Sequence, residues 1–352
     1  MTDVGGTWRW TQDRDSASAE VTVPASASDL ALDILDRGFI HAKLQPGEYA
    51  MRLEEWVHME AKATLSLEQG ERFVLFGAHP YGYAGAGTTP VTRADAQALH
   101  DRLWQPSHAT LVVVGDVDVH AVESMVARRL GPWVHGPSVA RVTTPPTHLD
   151  GPRLVTITSV VADVRVAGAI VARGPAAMSG DADALAVAIE LIGGPLSSQL
   201  AEDLRREHSS HTVSAQLAVE REATWVHIAA ELPRDDLVSG VDRILRAVET
   251  TSQGQVTDAD VATAKEALVG SYRAQIATVE GAATSYGRPD EPLDHVRSYP
   301  TRIGRVTRAD VVRTAARYLR VEALHVLLFT DARSFDAAPL GLGPPVVLAA
   351  SP

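Results

Sequence analysis

The sequence predicts an α+β protein of two tandem homologous α/β-sandwich units, the first of them incomplete at its N-terminus. Three observations predict it. Val91–Asp116 and Val306–Asp331 both open Val-Thr-Arg-Ala-Asp, cross an amphipathic stretch and enter an apolar run, Leu111–Val114 in one and Val326–Phe329 in the other, at a constant offset of 215 residues. A second anchor, Val23-Pro24 leading to Asp29-Leu30, matches Leu232-Pro233 leading to Asp236-Leu237 at offsets of 207 to 209. The third observation is order: strand-like runs arrive in hairpin pairs with helical stretches grouped between them, which fits an α+β sandwich better than strict βαβ alternation. The second unit opens near Leu154, so an offset of roughly 212 sets the expected start of the first about 60 positions before Met1.

In the first unit, Ser16–Val23 alternates small or polar with apolar residues and reads as a strand stopped by Pro24. Ser28 or Asp29 then caps a helix with Leu30, Ile34 and Leu35 on one face. A second helix is expected from Pro46 to about Leu67, with Met51, Leu53, Trp56, Val57 and Met59 as its apolar interior and Glu54, Glu55 and Glu60 as its carboxylates. Gly77–Gly87 is too rich in glycine for a regular element and reads as a loop. The repeated helix and strand come next, then a helix over Val119–Leu130. Five prolines between Gly131 and Pro152 mark a linker. In the second unit the expected strands are Leu154–Ser159, Val164–Ala172, Thr212–Val219 and Thr224–Leu232. Its expected helices are Asp181–Ile192, Asp235–Thr250 and a long one from Asp258 to about Tyr286, before the repeated helix and strand. The expected domains are therefore 1–138 for the shortened unit, 139–152 for the linker, 153–340 for the second unit and 341–352 for a tail.

Composition narrows the partners. A length of 352 residues suits about two domains, and 45% apolar with 22% charged residues is the balance of an ordinary globular chain. A net charge of −12 repels phosphate backbones and anionic lipids, which argues against nucleic acid and membrane partners and makes a basic peptide the easier ligand. With no cysteine, disulfides, thiolate nucleophiles and thiol-ligated metals are excluded within these residues. Met1–Gly6 has neither a basic nor an apolar leader segment, and no apolar run reaches membrane-spanning length, so cytoplasmic residence is expected.

Three segments carry a resemblance. His79-Pro80-Tyr81-Gly82, the run Leu111-Val-Val-Val-Gly-Asp-Val-Asp118, and Gly193–Arg206 resemble, in order and spacing, landmarks of the pitrilysin/insulinase-type zinc peptidases, the inverzincins. The resemblance covers nearly the whole chain. It implies duplicated α+β units that enclose a chamber, in one chain or in paired subunits, and cleavage of peptides held as an added β-strand. Active members carry His-x-x-Glu-His, whose histidines at i and i+4 share one helix face and reach Zn²⁺ while the glutamate serves as general base. Neither that motif nor its inverse occurs in these 352 residues. Gly5-Gly6 and the residues after them resemble the segment that succeeds the zinc helix, so the ligand-bearing portion is expected to be the missing one.

The resemblance implies little for individual residues. Glu60 falls at the family's third-ligand position, but one carboxylate does not hold a catalytic zinc, and the simpler reading is a solvated helix glutamate; His58, two residues away, points elsewhere. Arg205 matches an arginine with which the family contacts substrate from its second unit. The competing reading is a surface pairing with Glu202 or Glu207. Seven residues on, where the family has tyrosine, stands Thr212, a shorter and less acidic hydroxyl that weakens oxyanion stabilisation. His208 and His211 have metal-pair spacing but no third ligand; Gly82, Gly85 and Gly87 lack the βαβ context of a dinucleotide loop; Ser197 and Ser198 have no histidine and aspartate in relation to them.

The expectation is thus a non-catalytic subunit without a cofactor of its own. It binds peptide through Arg205 and Thr212 and completes the chamber of a zinc-motif-bearing partner, with a homodimer as the other way to cover the shortened unit. The alternatives are a structural or peptide-binding scaffold, and a zinc peptidase whose motif lies outside this sequence.

Overall fold

The computed structural model describes residues 4–60, 66–82, 91–134, 136, 151, 153–157, 165–174, 176–194, 200, 213–288, 291–330 and 336–348, without the side chains of 59, 60, 165–169 and 172. In chain order the elements are β1 (Thr7–Gln12), β2 (Ala17–Thr22), α1 (Ser28–Leu35), α2 (Pro46–Glu60), α3 (Leu67–Phe76), α4 (Arg93–Leu103), α5 (Val119–Leu130), β3 (Leu154–Ile157), β4 (Arg165–Arg173) and α6 (Gly180–Gly193). The chain continues through β5 (Val213–Val219), β6 (Thr224–Pro233), α7 (Leu237–Ser252), α8 (Asp258–Ile276), α9 (Val279–Tyr286), α10 (Leu293–Arg297), α11 (Tyr299–Arg305), α12 (Arg308–Tyr318), β7 (His325–Phe329) and β8 (Val346–Leu348). The chain divides into two compact units, one of residues 1–62, 87–142 and 273–297, the other of 63–86, 143–272 and 298–352. All but Gly151 and Gly136 of the stretch 135–152 lies outside the described residues.

The first unit is thinly packed. Its β1 and β2 form an antiparallel hairpin, Thr7 opposite Thr22 and Gln12 opposite Ala17, closed by the Asp13 carboxylate accepting the amides of Asp15 and Ser16. Among its described residues the buried apolar side chains are Leu32, Ala282 and Val296. Trp8 is 58% exposed and Trp10, stacked on Phe39 and tilted against Trp104, is 39% exposed. Helices α1 and α5 are tied by Arg129, which donates to Asp29 and, at 2.9 Å, to Asp33. The expected strand Leu111–Val114 is not one here: these residues have no ladder partner among the described residues, and Leu111 and Val113 are exposed. A strand exists only with neighbours that take its backbone hydrogen bonds, and the described residues of the first unit include no counterpart of those its repeat has.

In the second unit the repeated run does form a strand. The sheet runs β5-β6-β4-β7-β3-β8, antiparallel except that β3 lies parallel to β7 and to β8. β7 sits in the middle, with Gly168 opposite Leu328 on one side and Val155 opposite Leu327 on the other. Helices α6, α7 and α12 close one face over a core that includes Leu185, Ile189, Ile228, Leu237, Ile244, Val311 and Leu328. The opposite face carries a smaller core of Val155, Val171, Trp225 and Leu327 under α3, which brings Val74, Leu75 and Phe76 to it. The stretch expected as a tail supplies the edge strand β8.

The structure corrects several boundaries, each for a local reason. The helix expected over residues 46–67 ends as α2 at Glu60, and a separate α3 starts where the Ser66 hydroxyl accepts the Gln69 amide and the Gln69 side chain accepts the Ser66 amide. Of the expected α2 interior, Met51 and Val57 are exposed. The long helix after Asp258 stops at Ile276, because Thr278 caps α9 by accepting the Gly281 amide. The repeated Val-Thr-Arg-Ala-Asp is itself a cap: Thr92 and Thr307 each accept the amide of the aspartate three residues on.

Candidate functional site

The residues expected to meet substrate, Arg205 and Thr212, lie outside the described residues, as do Ser197, Ser198, Glu202, Glu207, His208, His211, Gly85 and Gly87. The free edge of β5 begins at Val213, the residue after Thr212, and only β6 pairs with this strand among the described residues. Glu60 closes α2 and its side chain is not described; its neighbour His58 is exposed, with Nδ1 donating to the Glu54 carbonyl oxygen at 2.9 Å. Among the described residues no three histidine or carboxylate side chains converge on a point that would hold a metal ion. The described donors therefore do not fit a zinc site.

The His79-Pro80-Tyr81-Gly82 landmark is a 3₁₀ turn against the second unit's sheet. His79 Nδ1 accepts the Tyr81 amide at 3.1 Å, and the buried Tyr81 takes the Glu222 amide on its hydroxyl at 3.2 Å. Tyr81 also packs edge-on to Phe76 at 5.6 Å and to His79 at 4.8 Å. Gly82 is required by space, since a Cβ there would stand 2.2 Å from the Gly77 carbonyl oxygen. On α3 a Cβ at Gly70 would meet Ile157 Cδ1 at 2.4 Å, the end of a side chain that would have to shift.

Beside this turn lies a polar cluster that sequence reasoning missed. Glu71, 2% exposed on α3, accepts Trp225 Nε1–H at 3.1 Å, and His227 Nδ1 lies 2.9 Å from both carboxylate oxygens. Burial alone would lower the His227 pKa, but the hydrogen bond and charge of Glu71, helped by Glu68, hold it above the ordinary histidine value. Next to it Arg72 donates to Glu220 at 2.6 Å and to Glu68 at 3.1 Å, its guanidinium 5.1 Å from the Trp225 ring centre. Trp225 and His227 share one strand face by alternation, which is a signal in sequence; their partner stands 154 and 156 residues upstream, which is not. An open groove of about 400 Å³ at the start of α6 holds further charge, but Asp181 accepts from Arg313 at 2.7 Å and Asp183 from Arg302, so these groups tie α6 to α11 and α12.

Residues 90–268 match the family model described as the inactive domain of M16 peptidases. That is half of the chain, and the protein belongs to the M16 peptidases, the pitrilysin/insulinase-type family its motifs resemble. Two solved structures of similar size share its fold. A protease from Helicobacter pylori superimposes with a TM-score of 0.83 at 18% identity, over 94% of this chain and 83% of that one. The M16 inactive domain from Pseudomonas fluorescens gives 0.79 at 16% identity, over 94% and 81%. The periplasmic protease PqqL from Escherichia coli gives 0.70 at 14% identity, over 94% of this chain and 38% of that larger one. No curated protein sequence matches. No helix among the described residues is long and apolar enough to cross a membrane.

Proposed function

We propose that this chain is a cytoplasmic, non-catalytic M16 subunit that binds peptide and completes the chamber of a zinc-bearing partner. The observation that carries the reading is the match of residues 90–268 to the inactive domain of M16 peptidases. Peptide recognition rests on strand chemistry. A free strand edge presents unpaired N–H and C=O groups that an extended peptide satisfies in register, and β5 offers such an edge directly after Thr212. Arg205, seven residues earlier, supplies the cation for a substrate carboxylate or carbonyl. In this reading the zinc would be held by residues of the partner, where it would supply Lewis-acid chemistry.

The test is peptide hydrolysis by the assembled pair. Arg205→Ala should lower kcat/KM by on the order of tenfold or more, as loss of a charge-assisted contact does, while assembly, read by sedimentation, is unchanged. Thr212 in place of tyrosine favours a second reading, a scaffold without a part in cleavage; full activity of the assembled Arg205→Ala variant would decide for it.

A further inference from the structure

The buried Glu71 carboxylate has no part in that reading, and its placement is unusual. Residues 63–86 belong to the second unit, whereas 1–62 before them and 87–142 after them belong to the first. In sequence, the residues on both sides of this segment thus belong to the other unit, and among the described residues α3 is held on the sheet by what it packs against there. Its apolar contribution is Val74, Leu75 and Phe76, and its one deeply buried carboxylate is anchored by Trp225 and His227 of β6.

We propose that α3 is a releasable strap, fastened to the sheet by the Glu71–His227 ion pair, and that loss of the His227 proton loosens it. The groups around His227 leave it this role. From α3 come Glu71, Glu68 and Arg72, and Arg72 is committed to Glu220 and Glu68. From β4 come Val171, opposite His227, and Arg173, whose guanidinium lies over the Phe76 ring at 5.9 Å. From β5 comes the neutral Gln216, opposite His227, with Glu220 past the strand's end; β6 itself adds Glu231 on the same face. From β7 comes His325, opposite Val171, and from the 3₁₀ turn His79 and Tyr81. The cation in contact with Glu71 among the described residues is thus His227.

The sign is set by a folded-state pKa held above the ordinary value. The stabilisation is full below about pH 6.5, where histidine is charged folded or unfolded, and is lost as pH rises through the raised folded value. A neutral His227 still donates one hydrogen bond but no longer offsets a carboxylate buried away from water, and such a charge is costly without its counter-ion. Loosening α3 bares the apolar face of Val155, Val171, Trp225 and Leu327.

Amide hydrogen exchange of the full chain, corrected for intrinsic rates, reads this directly. Between about pH 6 and pH 9 the protection of residues 67–76 should fall by on the order of tenfold or more, with α7 unchanged. In His227→Gln that segment should be weakly protected at every pH. An equal pH-dependent loss in His227→Gln, or none in the wild type, overturns the proposal. Should the variant fail to fold, NMR titration of His227 in the wild type decides: a midpoint at or below about 6.5 overturns it, a higher one supports it.

Discussion

At the scale of single residues, this chain spends glycine where backbones must touch. Gly82 closes the 3₁₀ turn with no room for a methyl group before the Gly77 carbonyl oxygen. Gly82→Ala should therefore destabilise the fold by about 1–3 kcal/mol, the usual cost of overpacking, read as a lowered midpoint of chemical unfolding at constant slope. The motif around it was legible as a landmark, His-Pro-Tyr-Gly, because a glycine-bearing turn announces itself in sequence. Glu71 was not legible. A glutamate between Gly70 and Arg72 on an amphipathic helix reads as solvated surface, and only the packing of α3 against β6 makes it a buried anion with two donors. Arg205 and Thr212 were legible only through resemblance, and lie outside the described residues.

Elements were legible in proportion to how local their causes are. Helix α5 has the expected bounds, Val119–Leu130, because Asp118 accepts the Ala121 amide and an apolar periodicity comes after it within one segment. The starts of α3 and of α9 depend on single side chains, Ser66 and Thr278, that cap them. Ser66→Ala should cost about 1 kcal/mol, as loss of an N-cap does, and should appear first as faster amide exchange at the start of α3, with α12 unaffected. Strands depend on partners. The runs Leu111–Val114 and Val326–Phe329 hold equivalent places in the repeat and are both wholly apolar, though no position is identical, yet among the described residues only the second, inserted between β4 and β3, forms a strand. The equivalent apolar run is a central strand as β7, whereas Leu111 and Val113 are exposed in the first unit.

For the whole molecule, the two units differ in how fully they are built, and the duplication makes the difference measurable. The second has cores on both faces of a six-stranded sheet; the first, among its described residues, keeps a two-stranded sheet and exposes Trp8, Trp10, Leu99, Leu103, Leu111 and Val113. Exposed apolar side chains become association surfaces where they adjoin one another. The repeat itself, which points to the fold class, was legible because it is a comparison of the sequence with itself and needs no packing information. The measurement that tests the subunit reading most directly is metal content and peptide hydrolysis of the purified chain, alone and mixed with a zinc-motif-bearing M16 subunit. A non-catalytic subunit should show no bound zinc and no turnover alone, and turnover on mixing beyond that of the partner by itself. Stoichiometric zinc with metal-dependent cleavage by the lone chain would contradict it.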